Sequence, residues 1–324
     1  VNVYFDTNIY RFITERNEIR QVAELLRQFE CRLSVSTLNL LETFAVKSLT
    51  DRSREMETMI RLGNDYPPTP ESYLHALEVR REVKRLRPRW LNRGPRRGME
   101  LSHLRNHRAV WAAAKAGRLP SAFEFEPYSV VAERGIASVR EIQKYERKSV
   151  HDGFNILLMR TPDGSAVTHD FEDPEFYWRF QGLNVWFEAV EKQSPAMRDY
   201  ADWLRPYLRP NSFTDPSYFT FWIDEVLADA MPLNRLTGLV SFYQLKQKPT
   251  HGNAIDQIHA TCWLTNDLFI TADRAFYEAL TSAAGHYPGR RLPVLVNREL
   301  KSMASQLEEI LKVRLARTSE IPKT

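Results

Sequence analysis

The stretch VNVYFDTNIYRF, residues 1–12, governs how the rest of the chain is read. Val3, Tyr4 and Phe5 favour extended backbone and run straight into Asp6, Thr7 and Asn8, residues of turns and helix caps. Residues 2–6 therefore read as a buried strand that ends on a carboxylate. Two readings of Asp6 follow. It caps a helix starting near Asn8, or it is one corner of a metal site that other acids complete.

Working outward, Glu15 to Phe29 carries Ile19, Val22, Leu25, Leu26 and Phe29 at helix spacing. Arg32 to Ser36 reads as a second short strand. Leu38, Leu40, Leu41, Phe44 and Ala45 follow at helical spacing, with Glu42 inside the run. This β-α-β-α alternation predicts a parallel sheet with helices on its faces. The alternation returns after His251-Gly252: a helix over Asn253 to Leu264, a strand over Leu268 to Thr271, a helix over Arg274 to Leu280 and a strand over Leu292 to Val296. A final helix is expected from about Arg298 to Val313.

The middle of the chain reads differently. Amphipathic helical patterns are expected over Glu71–Leu86, Leu101–Ala116, Val130–Lys148, Phe176–Glu191, Pro195–Leu204, Tyr218–Asp229 and Leu233–Lys246. Strand signals are few, at Phe154–Arg160 and Ala166–His169. The fold class expected is α/β: residues 1–66 and 250–324 form one parallel sheet flanked by helices, and a mainly helical insertion, 67–249, interrupts it. Aromatic clusters such as Phe176-Tyr177-Trp178 and Tyr218-Phe219-Thr220-Phe221-Trp222 would stack on unpaired bases or fill a core; the core reading is favoured.

Bulk composition narrows the class. A chain of 324 residues with 43% hydrophobic and 27% charged residues can bury a large core. No run approaches the roughly 18 apolar residues that cross a bilayer, and no basic-then-apolar leader opens the sequence, so a cytoplasmic protein without membrane attachment is expected. Cys31 and Cys262 make neither a disulfide framework nor a CxxC zinc signature and read as buried thiols. The net charge of +4 matters less than its distribution. Arg80, Arg81, Lys84, Arg85, Arg87, Arg89, Arg93, Arg96, Arg97, Arg105 and Arg108 crowd a segment whose acids are Glu82 and Glu100, a composition that attracts polyanions.

Four acids stand out by position: Asp6 at the end of the first strand, Glu42 on the helix after the second, Asp256 in the first turn of the helix after Gly252, and Asp273 after the strand Leu268–Thr271. In a parallel α/β sheet, ligands bind beyond the carboxyl ends of the strands, where Asp6 and Asp273 would project. Carboxylates gathered there raise each other's pKa unless cations neutralise them. Such oxygen donors suit Mg²⁺ or Mn²⁺. Each acid also has a local explanation, since Asp6, Asp273 and the Asn253/Asp256 pair are all at capping positions. Together, four acids at one sheet edge favour the metal site. His259, three residues after Asp256, either touches substrate or is a packed or solvent-facing histidine, and the second reading is favoured.

These residues resemble a known pattern. VYFDTNIY is similar to the opening strand and aspartate of PIN domain nucleases, and LSVSTLNLLETFA to their second strand and glutamate-bearing helix. GNAIDQIHATCWLTNDLFITADRAF resembles their third and fourth acidic motifs. The resemblance covers roughly residues 1–50 and 250–300. It implies a Mg²⁺- or Mn²⁺-dependent phosphodiesterase, most often acting on RNA, in which Asp6, Asp256 and Asp273 hold a divalent ion. Glu42 would hold a second ion or orient the attacking water. Thr7 and Asn8 either position Asp6 or the scissile phosphate or serve plain turn-and-cap chemistry, and Thr271 is either a supporting donor or simply a β-branched strand residue. RNA is thus the expected partner and DNA the alternative. Many members of that family are toxins of toxin–antitoxin pairs and others process or degrade RNA, so a toxin or defence effector with an antitoxin or regulatory protein as partner is expected, and compact members often pair, which adds self-association. The Arg80–Arg108 run is the candidate phosphate grip. A binding module that keeps the fold without catalysis is the rival of a different class.

Overall fold

Strand β1 (Asn2–Phe5) lies inside a four-stranded sheet, in parallel register with β2 (Arg32–Ser34) on one side. The computed structural model describes residues 1–44, 46, 48–63, 70–92, 94, 97–116, 159–160, 166–167, 173–193, 197–210, 217–247, 253–299 and 302–316. Two-residue strands β3 (Met159–Arg160) and β4 (Ala166–Val167) pair antiparallel away from this sheet. The other side of β1 pairs in parallel with β5 (Leu268–Thr271), which in turn pairs with β6 (Val294–Leu295). The order β2-β1-β5-β6 puts chain-distant strands side by side. The chain leaves β1 to one side for β2 and later returns to its other side for β5. A topological switch point therefore falls between β1 and β5, where parallel sheets open a crevice.

Both faces of the sheet are covered, which is why its strands are apolar without alternation. Successive side chains point to opposite faces. Val3, Phe5, Leu268 and Ile270 join one core, built with α1 (Thr7–Glu15), α2 (Ile19–Gln28), α3 (Thr37–Phe44), α4 (Leu49–Leu62) and α12 (Met303–Ala316). Tyr4 and Phe269 enter the opposite core, with α9 (Pro232–Leu245), α10 (Asn253–Thr265) and α11 (Arg274–Ala284). An α/β fold with a parallel sheet is thus observed.

A further core is helical and rich in tryptophan. Trp90, Trp178, Trp186, Trp203, Phe221 and Trp222 are buried in it, among α5 (Glu71–Leu86), α7 (Pro174–Trp186) and α8 (Arg198–Leu204). The aromatic clusters of the middle segment serve as core. Helix α6 (Arg97–Lys115) has anchors in two places: Leu104 packs on this core, whereas Trp111 and Ala114 are buried in the core on the α1 side of the sheet.

Local chemistry explains two departures from the expected boundaries. The first helix begins at Thr7 and stops at Glu15, where Asn17 adopts a φ of 55° before α2 starts; asparagine tolerates this left-handed conformation. The last helix starts at Met303 and not near Arg298, because residues 298–299 form a turn. The expected helix Val130–Lys148 lies outside the described residues, whereas the expected strands Phe154–Arg160 and Ala166–His169 are observed in their described parts, as β3 and β4.

Helix α9 approaches α7 so closely that only glycine fits at position 238. A Cβ there would lie 2.5 Å from the Trp178 Cβ and 2.6 Å from its Cα. Gly238→Ala should therefore destabilise the fold by about 1–3 kcal/mol, as over-packing does. Gly98→Ala, which meets nothing within 4 Å, should be neutral or stabilising by up to about 1 kcal/mol. Urea unfolding of both variants measures the contrast.

Candidate metal centre

Asp6 is placed by the pairing of β1 with β5. Its backbone N–H continues the ladder, donating to the Ile270 carbonyl at 2.9 Å. Its carboxylate then does two jobs at once. Oδ1 accepts the Thr7 N–H at 2.7 Å, capping α1, and Oδ2 accepts the Asn8 amide and the Thr271 hydroxyl, each at 2.6 Å. Asn8 Oδ1 accepts the Ala272 N–H at 2.9 Å, which ties the start of α1 to the end of β5. The cap reading and the pocket reading of Asp6 are not exclusive.

Glu42 arrives by a separate device. Ser36 and Asn39 cap α3 reciprocally: the Ser36 N–H donates to Asn39 Oδ1 at 2.9 Å, and Ser36 Oγ accepts the Leu38 N–H at 3.1 Å. The Asn39 amide also donates to the Phe5 carbonyl at 3.2 Å and to Thr7 Oγ1 at 3.0 Å, fixing the start of α3 to the end of β1. Three residues on, Glu42 shares the helix face of Asn39 and meets the Thr7 hydroxyl, which donates to Glu42 Oε2. The Glu42 side chain keeps 22% exposure.

The third corner is a histidine. His259 is fully buried on α10, and its Nε2 lies 2.8 Å from Glu42 Oε2. Its Nδ1 lies 2.6 Å from the Tyr4 hydroxyl, which is 2.9 Å from Ser36 Oγ. Asp6, Glu42 and His259 each offer an atom within 4.8 Å of the others. With both ring nitrogens protonated, His259 donates to Tyr4 and Glu42, and Tyr4 donates onward to Ser36. Both ring nitrogens and the Tyr4 hydroxyl then have partners.

Charge follows geometry. Burial is the largest influence on Asp6 and raises its pKa; His259 opposes it, Glu42 adds to it, and the net value is about 6 against an ordinary 3.8. Burial also acts to lower His259, but the attraction and hydrogen bond of Glu42, helped by Asp6 and Asp256, outweigh it and lift the imidazole to about 9. Burial would raise Glu42, yet the charge and hydrogen bond of His259, with Thr7 and Arg11, hold its pKa below the ordinary value. Asp256 is buried on the same face of α10 as His259. Burial raises its pKa well above normal, and Asp6, Asp273 and Glu42 raise it further.

Of the four acids singled out in the sequence, Asp6 and Glu42 meet directly. Asp256 stands within electrostatic reach of both and of Asp273, but outside the tight triad. Asp273 caps α11, accepting the Phe276 N–H at 3.0 Å. Thr271 and Asn8 both hold Asp6, and Thr7 holds Glu42. His259 belongs to the cluster itself; its three-residue spacing from Asp256 was the only sequence signal for this. Tyr4, Ser36 and Asn39 support the cluster and gave no sequence signal of that role.

The donor set fits a hard divalent cation. Carboxylate oxygens from Asp6 and Glu42, with Asp256 and Asp273 nearby, suit Mg²⁺ or Mn²⁺. Both nitrogens of His259 are engaged, so the imidazole orients Glu42, and a cation here would take its ligand oxygens from the carboxylates.

The basic residues divide. Arg80 pairs with Glu100 at 3.2 Å and lies 3.4 Å from the centroid of the Tyr207 ring; Arg85 pairs with Glu82 at 2.6 Å, and Arg87 with Glu225 at 2.7 Å. These three are engaged within the fold. Arg81, Lys84, Arg89, Arg105 and Arg108 are exposed. Arg93 and Arg96 lie outside the described residues, and Arg97 opens α6. No described helix is long and apolar enough to cross a membrane. Comparison with protein-family models, curated proteins and solved structures gives no match for this chain.

Two outcomes follow from the buried charges. His259→Ala leaves Glu42 without its partner, and breaking a buried pair costs roughly 3–5 kcal/mol; the exposure of Glu42 puts the expected loss at the low end, read by urea unfolding in EDTA. The second concerns pH. Because the folded pKa of Asp6 lies above its ordinary value, the metal-free protein should lose stability as pH rises from about 4 to about 6. A cation that needs ionised Asp6 should reverse this, so the rise in melting temperature on adding Mn²⁺ should be large at pH 7.5 and vanish at pH 5. An equal rise at both pH values would remove Asp6 from the ligand set.

Proposed function

We propose that this chain is a Mg²⁺- or Mn²⁺-dependent phosphodiesterase with a PIN-like acidic site, and that its substrate is RNA. The observation that carries the reading is the meeting of Asp6 and Glu42 at the switch point between β1 and β5, with Asp256 and Asp273 beside them. A site that only capped helices would not gather acids from four separate elements in one buried crevice, where their repulsion is costly. Asp6, Glu42, Asp256 and Asp273 would hold the cation, and when bound it would polarise a phosphoryl oxygen and acidify a water.

The protein groups have separable roles. Thr271 and Asn8 lock Asp6 in one orientation. Thr7 and His259 fix Glu42, which with a depressed pKa stays ionised near neutrality and is suited to orient an attacking water or take its proton. Exposed Arg81, Lys84, Arg89, Arg105 and Arg108 give the chain a surface that attracts a phosphate backbone.

The test is cleavage of labelled single-stranded RNA by the full-length chain in Mn²⁺, Mg²⁺ or EDTA. Asp6→Asn and Glu42→Gln should each lower the rate by roughly 10²–10⁴-fold with the circular dichroism spectrum unchanged. Activity that survives EDTA, or that Asp6→Asn leaves intact, would defeat the proposal. A parallel arm with single-stranded DNA decides between RNA and DNA as substrate.

A further inference from the structure

Gln244 lies in the last turn of α9, a helix of the middle segment, and is 2% exposed. Its side-chain amide donates to Asp256 Oδ2 at 3.0 Å. The opposite end of the same amide, Oε1, faces the Gln257 Nε2 at 3.4 Å. Those two contacts agree on which way the amide points: a carboxylate demands the NH₂ end. Gln244 is thus a buried amide aimed at a buried acid.

The surroundings give this contact a purpose. Asp256 and His259 are three residues apart on α10 and share a face, and His259 already reaches Glu42. The carboxylates of Asp6, Asp273 and Glu42 all repel Asp256, and His259 opposes them. A carboxylate in such company turns away from its neighbours unless a donor fixes its orientation. A neutral amide donor holds it without spending the positive charge that a cation would supply, and one donated hydrogen bond still leaves the second oxygen for a ligand.

We propose that Gln244 is a positioning residue of the metal centre, fixing the orientation of the Asp256 carboxylate for the cation. This rests on the metal-dependent reading above. Through Gln244 the helix α9, which also packs on α10 and α11, becomes part of the site. The middle segment then completes the acidic cluster from behind. Groups that orient metal ligands in this way alter affinity by roughly 10–100-fold when removed.

The experiment is calorimetric titration of Mn²⁺ into the full-length chain. Gln244→Met, similar in length but without a donor, should weaken binding by roughly 10–100-fold. Should that variant fold poorly in EDTA, Gln244→Glu keeps the shape and faces Asp256 with a second acid, and it should weaken binding at least as much. Coupling separates positioning from packing. In an Asp256→Asn background, Gln244→Met should change Mn²⁺ affinity by less than about twofold, because the residue it acts through is gone. Wild-type affinity in both Gln244 variants, or an equal loss with and without Asp256, would overturn the inference while leaving the metal centre standing. Wild-type protein that binds no Mn²⁺ would overturn the metal reading and this inference together.

Discussion

The parallel pairing of β1 with β5 is the contact on which the rest of the centre depends. It sets Phe5 opposite Ile270, so both strands finish at the same height. Asp6 then falls beside Thr271, and Asn8 beside Ala272. A slip of one residue would turn Asp6 to the other face of the sheet and separate it from Thr271. That register is held by apolar burial on both sides: Val3, Phe5, Leu268 and Ile270 are committed to one core, Tyr4 and Phe269 to the other. The site is therefore as specific as the packing beneath it.

Compensation of charge is the second organising constraint. Burying acids is expensive unless each finds a donor or an opposite charge. Here the donors are largely neutral: the Thr7 backbone and hydroxyl, the Asn8 amide, the Thr271 hydroxyl and the Gln244 amide. Within the triad His259 supplies the buried positive charge, with its own partners in Tyr4 and Glu42. Neutral donors fix geometry without adding positive charge, as a cation site would require. In the helical core the logic differs, since Arg80, Arg85 and Arg87 spend their charge on Glu100, Glu82 and Glu225.

Much of the architecture was legible because short-range chemistry encodes it. The two-sided burial of β1 is written in Val3-Tyr4-Phe5, and the end of β5 in Thr271-Ala272-Asp273. Asp273 caps α11, and α10 begins at Asn253. The aromatic runs read as core and are core. Boundaries set by weaker signals were less legible. The break at Asn17 turns on one residue in a left-handed conformation, and the late start of α12 on a turn at residues 298–299.

By itself the sequence determined the candidates: which acids stand at strand ends and helix starts, and that a parallel sheet would bring strand ends to one edge. Periodicity and capping are local, so they survive in a linear reading. Tertiary structure alone decided the company those acids keep. It put His259 against Glu42 when the packed or solvent-facing reading was favoured, gave the Tyr4 hydroxyl a place in the chain to Ser36, and brought Gln244 from another helix to Asp256. It also divided the arginines into those engaged within the fold and those left exposed. Contacts between residues distant in the chain depend on strand order and helix packing, and no local pattern of residue types specifies either.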